Sequence, residues 1–457
     1  MTKRVWTKLR SLLVWAHRWF GLLAGLWLFF LAATGCFVVF YQEIDRALNR
    51  DLWYRPVAGE RLPVQRLVEA AEASIPGSYA SFANLPNRPG EPFFAYLAAR
   101  PGSDVEIPRK LHVFVDPYNG EVLATRVFGA FKLDRLHFAQ LVYQLHRDLK
   151  LGNLGAFVLG LVAFLWIWDH FAAAWISFPN PRRWWQSWVV KGGARGYSLV
   201  YRLHRAGGLW LAPVTLALAV SGVYFNWNSE FRAAVSWFSP LTPRPHQTAP
   251  RLEEPLLEAP VDVDQALAVA RRETGGAEAD RVSIMPQSGL YLVRLFDRRD
   301  ISIHGGRFLY VSMEDGAVVS DRHARDGTLG DTLLAWQYPL HSGQAFGWPG
   351  RLLIFAAGLV ICAMVATGFV IWAKKRRGRV ALAARRRAAP RTPAPVAIPE
   401  PASRLLQDSR LAASFAPEGP RAQPAGRSRQ GGGRAADRSA AGPRVPKGTS
   451  KPRISDR

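Results

Sequence analysis

Only two cysteines occur in the 457 residues, Cys36 and Cys362, and both fall inside apolar runs. No disulfide can therefore staple the polar segments between those runs, and cysteine-based zinc sites are excluded. No CxxCH motif is present, so any haem would be held non-covalently. Neither of the two long polar segments shows a P-loop, a dinucleotide fingerprint or a nucleophile–base pair. Charge is missing too, from four stretches: 20–41, 151–168, 206–229 and 352–373. A bilayer core needs about 20 apolar residues of helix. The second stretch is short, but it continues past Asp169 and His170 to Phe178. The expected architecture is a membrane α-helical protein with four transmembrane helices, at 12–42, 150–178, 204–228 and 349–373.

What charge there is lies between and beyond those helices. The net charge is +24, and the residues after Ala373 carry 21 basic and 5 acidic side chains of it. Lys3, Arg4, Lys8 and Arg10 precede the first helix; Arg182, Arg183, Lys191, Arg195 and Arg202 lie between the second and third; Lys374 to Arg377 follow the fourth. Positive residues stay cytoplasmic, which puts both termini and the loop 179–203 inside and the segments 43–144 and 229–340 outside. The basic excess is thus a signature of lipid bilayer topology, and nucleic acid is not an expected partner. "LAATGC" resembles a lipoprotein cleavage site, but the apolar run continues to Tyr41, so the segment reads as an uncleaved helix.

The chain carries an internal repeat. "HRWFGLLAGLWLFFLAATGCFVVFYQE" from His17 aligns without a gap on "HRAGGLWLAPVTLALAVSGVYFNWNSE" from His204. His17 meets His204, Arg18 meets Arg205, Gly35 meets Gly222 and Cys36 meets Val223. "LHRDLKLGNLG" likewise aligns on "LHSGQAFGWPG", so His146 meets His341 and Gly155 meets Gly350. "VFVDPYNGEVL" and "LYVSMEDGAVV" match more faintly between them. Each half is helix, outer segment, helix, so the two repeats are parallel and any pseudo-two-fold axis follows the membrane normal. His17 and His204 then share a depth near the cytoplasmic face, and His146 and His341 share one near the outer face. From His17 to Tyr41 is about 36 Å of helix at 1.5 Å per residue, which places the two pairs at opposite ends of the bundle.

Paired histidines on facing helices are the means by which a bundle holds a b-type haem, one imidazole from each side. His17 with His204 and His146 with His341 are the candidate axial ligands of two haems b, and Arg18 and Arg205 are candidates for their propionates. A His-Arg pair at a helix end also serves as an interfacial anchor, and the residues alone leave both readings open. Asp169 and His170 sit inside the second helix. Ionisable groups at such depth raise a functional hypothesis: His170 as an alternative ligand, a hydrogen-bond partner to one, or part of a proton path. An ion pair between Asp169 and an arginine is the structural alternative. His137 ranks below the repeated histidines, and His112, His246, His304 and His323 read as surface residues.

The outer segments read as small α+β domains, each with a helix at 62–73 or 263–272. Strands are expected at "FFAYLAA" and "KLHVFVDP" in the first, and at "LYLVRLF" and "RFLYVSM" in the second, with hairpin turns at "DPYNGE" and "EDGA". "PRRWWQSWVV" in the middle loop suits the membrane interface. The segment 374–457, rich in Ala, Arg, Pro and Gly with almost no aromatics, is expected to be a disordered basic tail held near anionic lipid.

These motifs together, "AHRWFGLLAGLW", "VDPYNGEVL", "LHRDLKLGNLG", "LHRAGGLWLAP" and "YPLHSGQAFGWPGRLL", resemble the PepSY-associated transmembrane family, over about residues 10–377. The family includes iron-regulated inner-membrane proteins of the siderophore-reductase type. The resemblance implies two PepSY-like periplasmic domains, a bacterial inner-membrane location, and a haem protein that passes electrons outward to a ferric siderophore or other ferric chelate. It implies His17, His146, His204 and His341 as the haem ligands. Ser312 stands where the first domain has Asp116, a departure from the PepSY signature that puts a shared ligand role for the two domains in question. Some relatives carry a fused flavin reductase domain; here the tail is too polar for one, which implies a separate cytoplasmic protein or a membrane quinol as electron donor. The competing readings are a non-enzymatic, membrane-anchored PepSY binding or regulatory protein, and a transporter.

Overall fold

The computed structural model describes residues 3–108 and 111–388. The first apolar stretch is not one straight helix. It forms α1 (Lys3–Leu23) and α2 (Gly25–Val38), bent by 56° at Ala24. Gly21 and Gly25 flank the bend, and glycine is among the weakest helix formers. The backbone bonds Ala24 N to Phe20 O and Leu28 N to Ala24 O carry the chain through it. Short helices α3 (Tyr41–Leu48) and α4 (Arg50–Trp53) follow, then α5 (Val64–Ala73) and strands β1 (Ser78–Asn84), β2 (Phe93–Ala99), β3 (Leu111–Val115) and β4 (Val122–Val127). The chain returns through α6 (Arg135–Asp148) and α7 (Gly152–Ser177), with Leu149 and Lys150 both at positive φ in the reversal between them.

The second half opens with α8 (Gly196–Asn226), α9 (Asn228–Ser236), α10 (Pro245–Thr248) and α11 (Val263–Glu273). Strands β5 (Ala279–Met285), β6 (Leu290–Leu295), β7 (Arg307–Ser312) and β8 (Val318–His323) come next, then α12 (Leu329–Ser342) and α13 (Gly347–Ala388). Among the described residues three helices, α7, α8 and α13, are long and apolar enough to cross a membrane, and α1 with α2 makes a fourth if the bent pair is one span. The chain is a multi-pass membrane protein. Two expected boundaries differ. Residues 374–388, expected in the disordered tail, continue α13 as helix, because Ala, Leu, Arg and Lys are all strong helix formers. Residues 389–457 of that expected tail lie outside the described residues. The third apolar helix starts eight residues before His204, at Gly196, so His204 lies inside a helix and not at its end.

The outer segments do not form two separate domains. Their strands make one eight-stranded antiparallel sheet in the order β4-β3-β2-β1-β5-β6-β7-β8. The halves join through β1 and β5, where Phe82 pairs with Ser283, Ala83 with Val282 and Asn84 with Arg281. Pairing these two strands hides edges that would otherwise be open to other chains. One face of the sheet is covered by α5 and α11, and Leu67, Val68, Ala83, Phe93, Val282 and Leu309 are buried in the core between them. The two helices also cap each other. Pro63 offers α5 no capping side chain, and Asp264 of α11 accepts from the N–H groups of Val64 and Gln65, both at 2.9 Å.

The other face carries Phe82, Phe94, Tyr96 and His112. His112 is 2% exposed and stacks on Tyr96 with ring centroids 4.0 Å apart. His323 is also buried. Both correct the expectation of surface residues: each lies on a strand whose side chain turns inward, a direction that spacing in a short strand does not fix. Asp45 of α3 and Arg126 of β4 form a buried ion pair at 3.1 Å, with side chains 2% and 3% exposed. Asn49 and Trp53 donate to the same carboxylate at 3.0 and 3.1 Å, so the charge is fully hydrogen-bonded where the sheet meets the helices. Asp116 and Ser312 do parallel work in their hairpin turns. Asp116 Oδ1 accepts from Tyr118 N, and Ser312 Oγ accepts from Glu314 N.

Candidate functional site

Two pairs of imidazoles face each other inside the helical part. His17 of α1 and His204 of α8 have ring centroids 6.2 Å apart, with planes at 64°. His146 of α6 and His341 of α12 have centroids 6.3 Å apart, with planes at 61°. A metal–imidazole bond is about 2.0–2.1 Å and the ring centre lies about 1 Å beyond the nitrogen, so two imidazoles on one metal have centroids about 6 Å apart. Both pairs match that spacing.

Each of the four rings is oriented through Nδ1. His17 Nδ1 lies 2.9 and 3.0 Å from the two carboxylate oxygens of Asp169 on α7. His204 Nδ1 lies 3.0 Å from Thr367 Oγ1 on α13. His146 Nδ1 lies 3.1 Å from both Leu31 O and Thr34 Oγ1 on α2. His341 Nδ1 lies 2.7 Å from Ser221 Oγ on α8. Each hydroxyl also lies within hydrogen-bond distance of a carbonyl one turn back in its helix, the geometry of a hydroxyl that donates there and accepts from the ring. Thr34 donates to Phe30 O, Ser221 to Ala217 O and Thr367 to Ala363 O. A carboxylate and a carbonyl accept only. Nδ1–H is therefore the donor in His17 and His146, and the hydroxyl-to-carbonyl bonds beside His204 and His341 suit the same assignment.

A cavity of about 400 Å³ opens beside the first pair, lined by His17, His204, Arg18, Arg205, Asp169 and His170 among others. Gly21 also lines it, and a Cβ there would meet nothing within 4 Å. Three guanidinium nitrogens at this cavity, Arg10 Nη1, Arg18 Nε and Arg205 Nε, are buried with no hydrogen-bond partner among the described residues. His170 differs from the paired histidines. Its Nδ1 donates to Trp166 O at 2.7 Å and its Nε2 is 2.8 Å from Thr215 Oγ1, so both nitrogens are engaged within the protein. His137 is held by Asp134 at the start of α6.

The second pair sits deeper than the ends of the bundle. It meets α2 and α8 at Thr34 and Ser221, inside the apolar runs, and His204 to Ser221 spans about 25 Å of helix. Gly35 makes room for it: a Cβ there would lie 3.1 Å from His146 Cε1.

The model of the PepSY-associated TM region matches residues 14–375. The chain belongs to the PepSY-associated transmembrane family. No curated protein matches it. In this family member the matched span takes in all four paired histidines, Asp169 and the whole eight-stranded sheet. Among the described residues no three or more His, Cys, Asp or Glu side chains cluster as a metal site.

Thr34, Ser221, Thr367 and the pairing of Asp169 with His17 are site features that reading the motifs missed. One signal was available. Thr34 and Ser221 stand at the same offset as His17 and His204, as small polar residues inside apolar runs.

Proposed function

We propose that this PepSY-associated membrane protein is a b-type di-haem electron conduit of a bacterial inner membrane that reduces a ferric siderophore or other ferric chelate on the periplasmic side. The observation that carries the reading is the paired spacing and common Nδ1 anchoring of His17, His204, His146 and His341. The four stand in two pairs at the spacing of a shared metal, each held at Nδ1 by a neighbouring helix, which is the arrangement that second-shell hydrogen bonds impose on metal-binding histidines. Haem, when bound, supplies a one-electron ferric–ferrous couple.

The chain's own residues account for the rest. Arg18, Arg205 and Arg10 bring unpartnered guanidinium nitrogens to the inner cavity, suited to propionate carboxylates. Gly21 of α1 lines the inner cavity with open space beside it, which suits a flat group there. The basic residues flanking α1, α8 and α13 support an orientation with the first pair toward the cytoplasm and both termini inside. A cytoplasmic or quinol donor is oxidised there, and the ferric chelate outside gains the electron and becomes ferrous, which weakens its hold on an oxygen-rich chelator. No proton need move at the outer site. The sequence repeat that aligns His17 with His204 and His146 with His341 supports equivalent sites in the two halves.

The test is the optical spectrum of the full chain purified from haem-replete cells. A reduced b-type spectrum with two haems per chain is expected, with about half the haem lost in each of His204→Ala and His341→Ala. A colourless, folded protein would overturn the reading and leave a binding or regulatory role.

A further inference from the structure

The two pairs of histidines differ in one respect that symmetry does not require. Three of the four imidazoles donate to neutral acceptors, a threonine or serine hydroxyl with or without a backbone carbonyl. His17 alone donates to a carboxylate. Asp169 is 11% exposed, and His17 is the one hydrogen-bond or ion-pair partner it has among the described residues. The ion pair with an arginine, which a carboxylate at this depth invites, is not made there. In the aligned second half Met364 stands where Asp169 stands in the first, so the outer sites and His204 have nothing comparable.

An ionised carboxylate accepting Nδ1–H pulls that proton toward itself and pushes electron density onto Nε2. It makes the imidazole a stronger donor. A stronger, more anionic axial donor stabilises a ferric iron over a ferrous one, and second-shell hydrogen bonding is one of the levers by which a protein sets a haem potential. Burial strengthens the effect, because a charge in a low-dielectric surround is screened little. The arginines at the inner cavity act in the opposite sense, which the propionate carboxylates of a bound haem would offset.

We propose that Asp169 is a positioning residue that, through its hydrogen bond to His17, sets the reduction potential of the inner haem below that of the outer one and so gives the conduit its outward direction. The inference rests on the di-haem reading. In the step it governs, one electron leaves the inner iron, which goes from ferrous to ferric, and arrives at the outer iron, which goes from ferric to ferrous. No bond is made or broken and no proton is transferred. The inner iron is re-reduced by the quinol or cytoplasmic donor.

The experiment is a spectroelectrochemical titration of the full, haem-loaded chain in detergent, with wild type, Asp169→Asn and Asp169→Glu compared. Wild type is expected to show two midpoints. In Asp169→Asn the lower midpoint rises toward the upper one, which stays in place, and Asp169→Glu restores most of the separation. Two haems with both midpoints unmoved in Asp169→Asn would overturn the proposal while leaving the conduit intact, whereas a wild-type protein without haem would overturn the conduit itself. If Asp169→Asn sheds its inner haem, Thr367→Asp carries the test by placing a carboxylate against His204. The lower midpoint then falls further if the proposal holds, and stays put if it does not.

Discussion

His17 and His204 stand 6.2 Å apart as a pair, yet their outward nitrogens meet different chemistry: the Asp169 carboxylate for one, the Thr367 hydroxyl for the other. Each ring comes from one helix and is oriented by another, α1 by α7 and α8 by α13. The same division holds at the second pair, where α6 and α12 supply the rings and α2 and α8 orient them. A site built this way depends on the packing of all the long helices at once. Its ligands stay aimed only while the bundle is assembled.

Removing an orienting hydroxyl should therefore weaken the outer site in a graded way. Ser221→Ala leaves His341 Nδ1 with no acceptor among the described residues, whereas Thr34→Val leaves His146 Nδ1 its bond to Leu31 O. Outer-shell substitutions commonly cost 10–100-fold in affinity. Haem titration of the apo-protein should show a loss of about that size at one site in Ser221→Ala and a smaller one in Thr34→Val. Equal, negligible effects would mean that these hydroxyls do not hold the rings.

Glycine substitutions should separate the two sites. A Cβ on Gly35 comes within 3.1 Å of His146 Cε1, so Gly35→Ala must push that ring aside. Gly21 faces the inner cavity with open space, so Gly21→Leu can be built without a clash in the empty protein but occupies the room a cofactor needs. The expected outcome is one haem per chain in each variant, the inner one retained in Gly35→Ala and the outer one in Gly21→Leu. Resonance Raman or low-temperature difference spectra distinguish the two.

The junction of sheet and helices should depend on Asp45. Asp45→Ala strands the buried Arg126 guanidinium, and breaking a buried pair by removing one partner typically costs about 3–5 kcal/mol. Trp53 loses its acceptor as well, while Asn49 keeps its bonds to the Asp45 and Arg135 carbonyls. Unfolding in denaturant, followed by tryptophan fluorescence, should show a destabilisation of that order. A loss under about 1 kcal/mol would show that the pair does not hold the junction.

Much of this was legible in the chain. The apolar runs gave the spans because charge is so costly in lipid, and alignment of the two halves paired His17 with His204 and His146 with His341 before any geometry was known. The bend at Ala24 was not legible, since Gly21 and Gly25 are as common in straight packed helices as in bent ones. Nor was the single sheet. β1 reads "SYASFAN", too rich in small polar residues to register as a strand, and it is held by pairing with β2 and β5 on either side. The orienting role of Asp169 depends on which way α1 and α7 face each other, which is tertiary information. Asp264 is a similar case: its partners Val64 and Gln65 lie in the other half of the chain. Asp264→Ala should cost about 1 kcal/mol, the usual worth of an N-cap.

Acid should destabilise the sheet in part through His304, in a window distinct from that of its carboxylates. Burial pushes the His304 imidazole down to about 4, and the neighbouring Arg294 adds to it, against an ordinary value of 6.5. The unfolded chain therefore takes up a proton at His304 near pH 6.5, while the folded chain does not until about pH 4. Stability from keeping the ring neutral is complete above pH 6.5 and is lost as pH falls toward 4. Asp297 does not overlap with this. Its hydrogen bonds from Arg299 hold its carboxyl well below the usual range, so its contribution is lost only below about pH 4. Glutamine is neutral throughout, so His304→Gln should flatten the fall in unfolding free energy between pH 6.5 and 4 and leave the steeper loss below pH 4 in place. Denaturant titrations at pH 7, 5.5 and 4 check this, and an unchanged slope in the variant would assign the acid sensitivity to other groups.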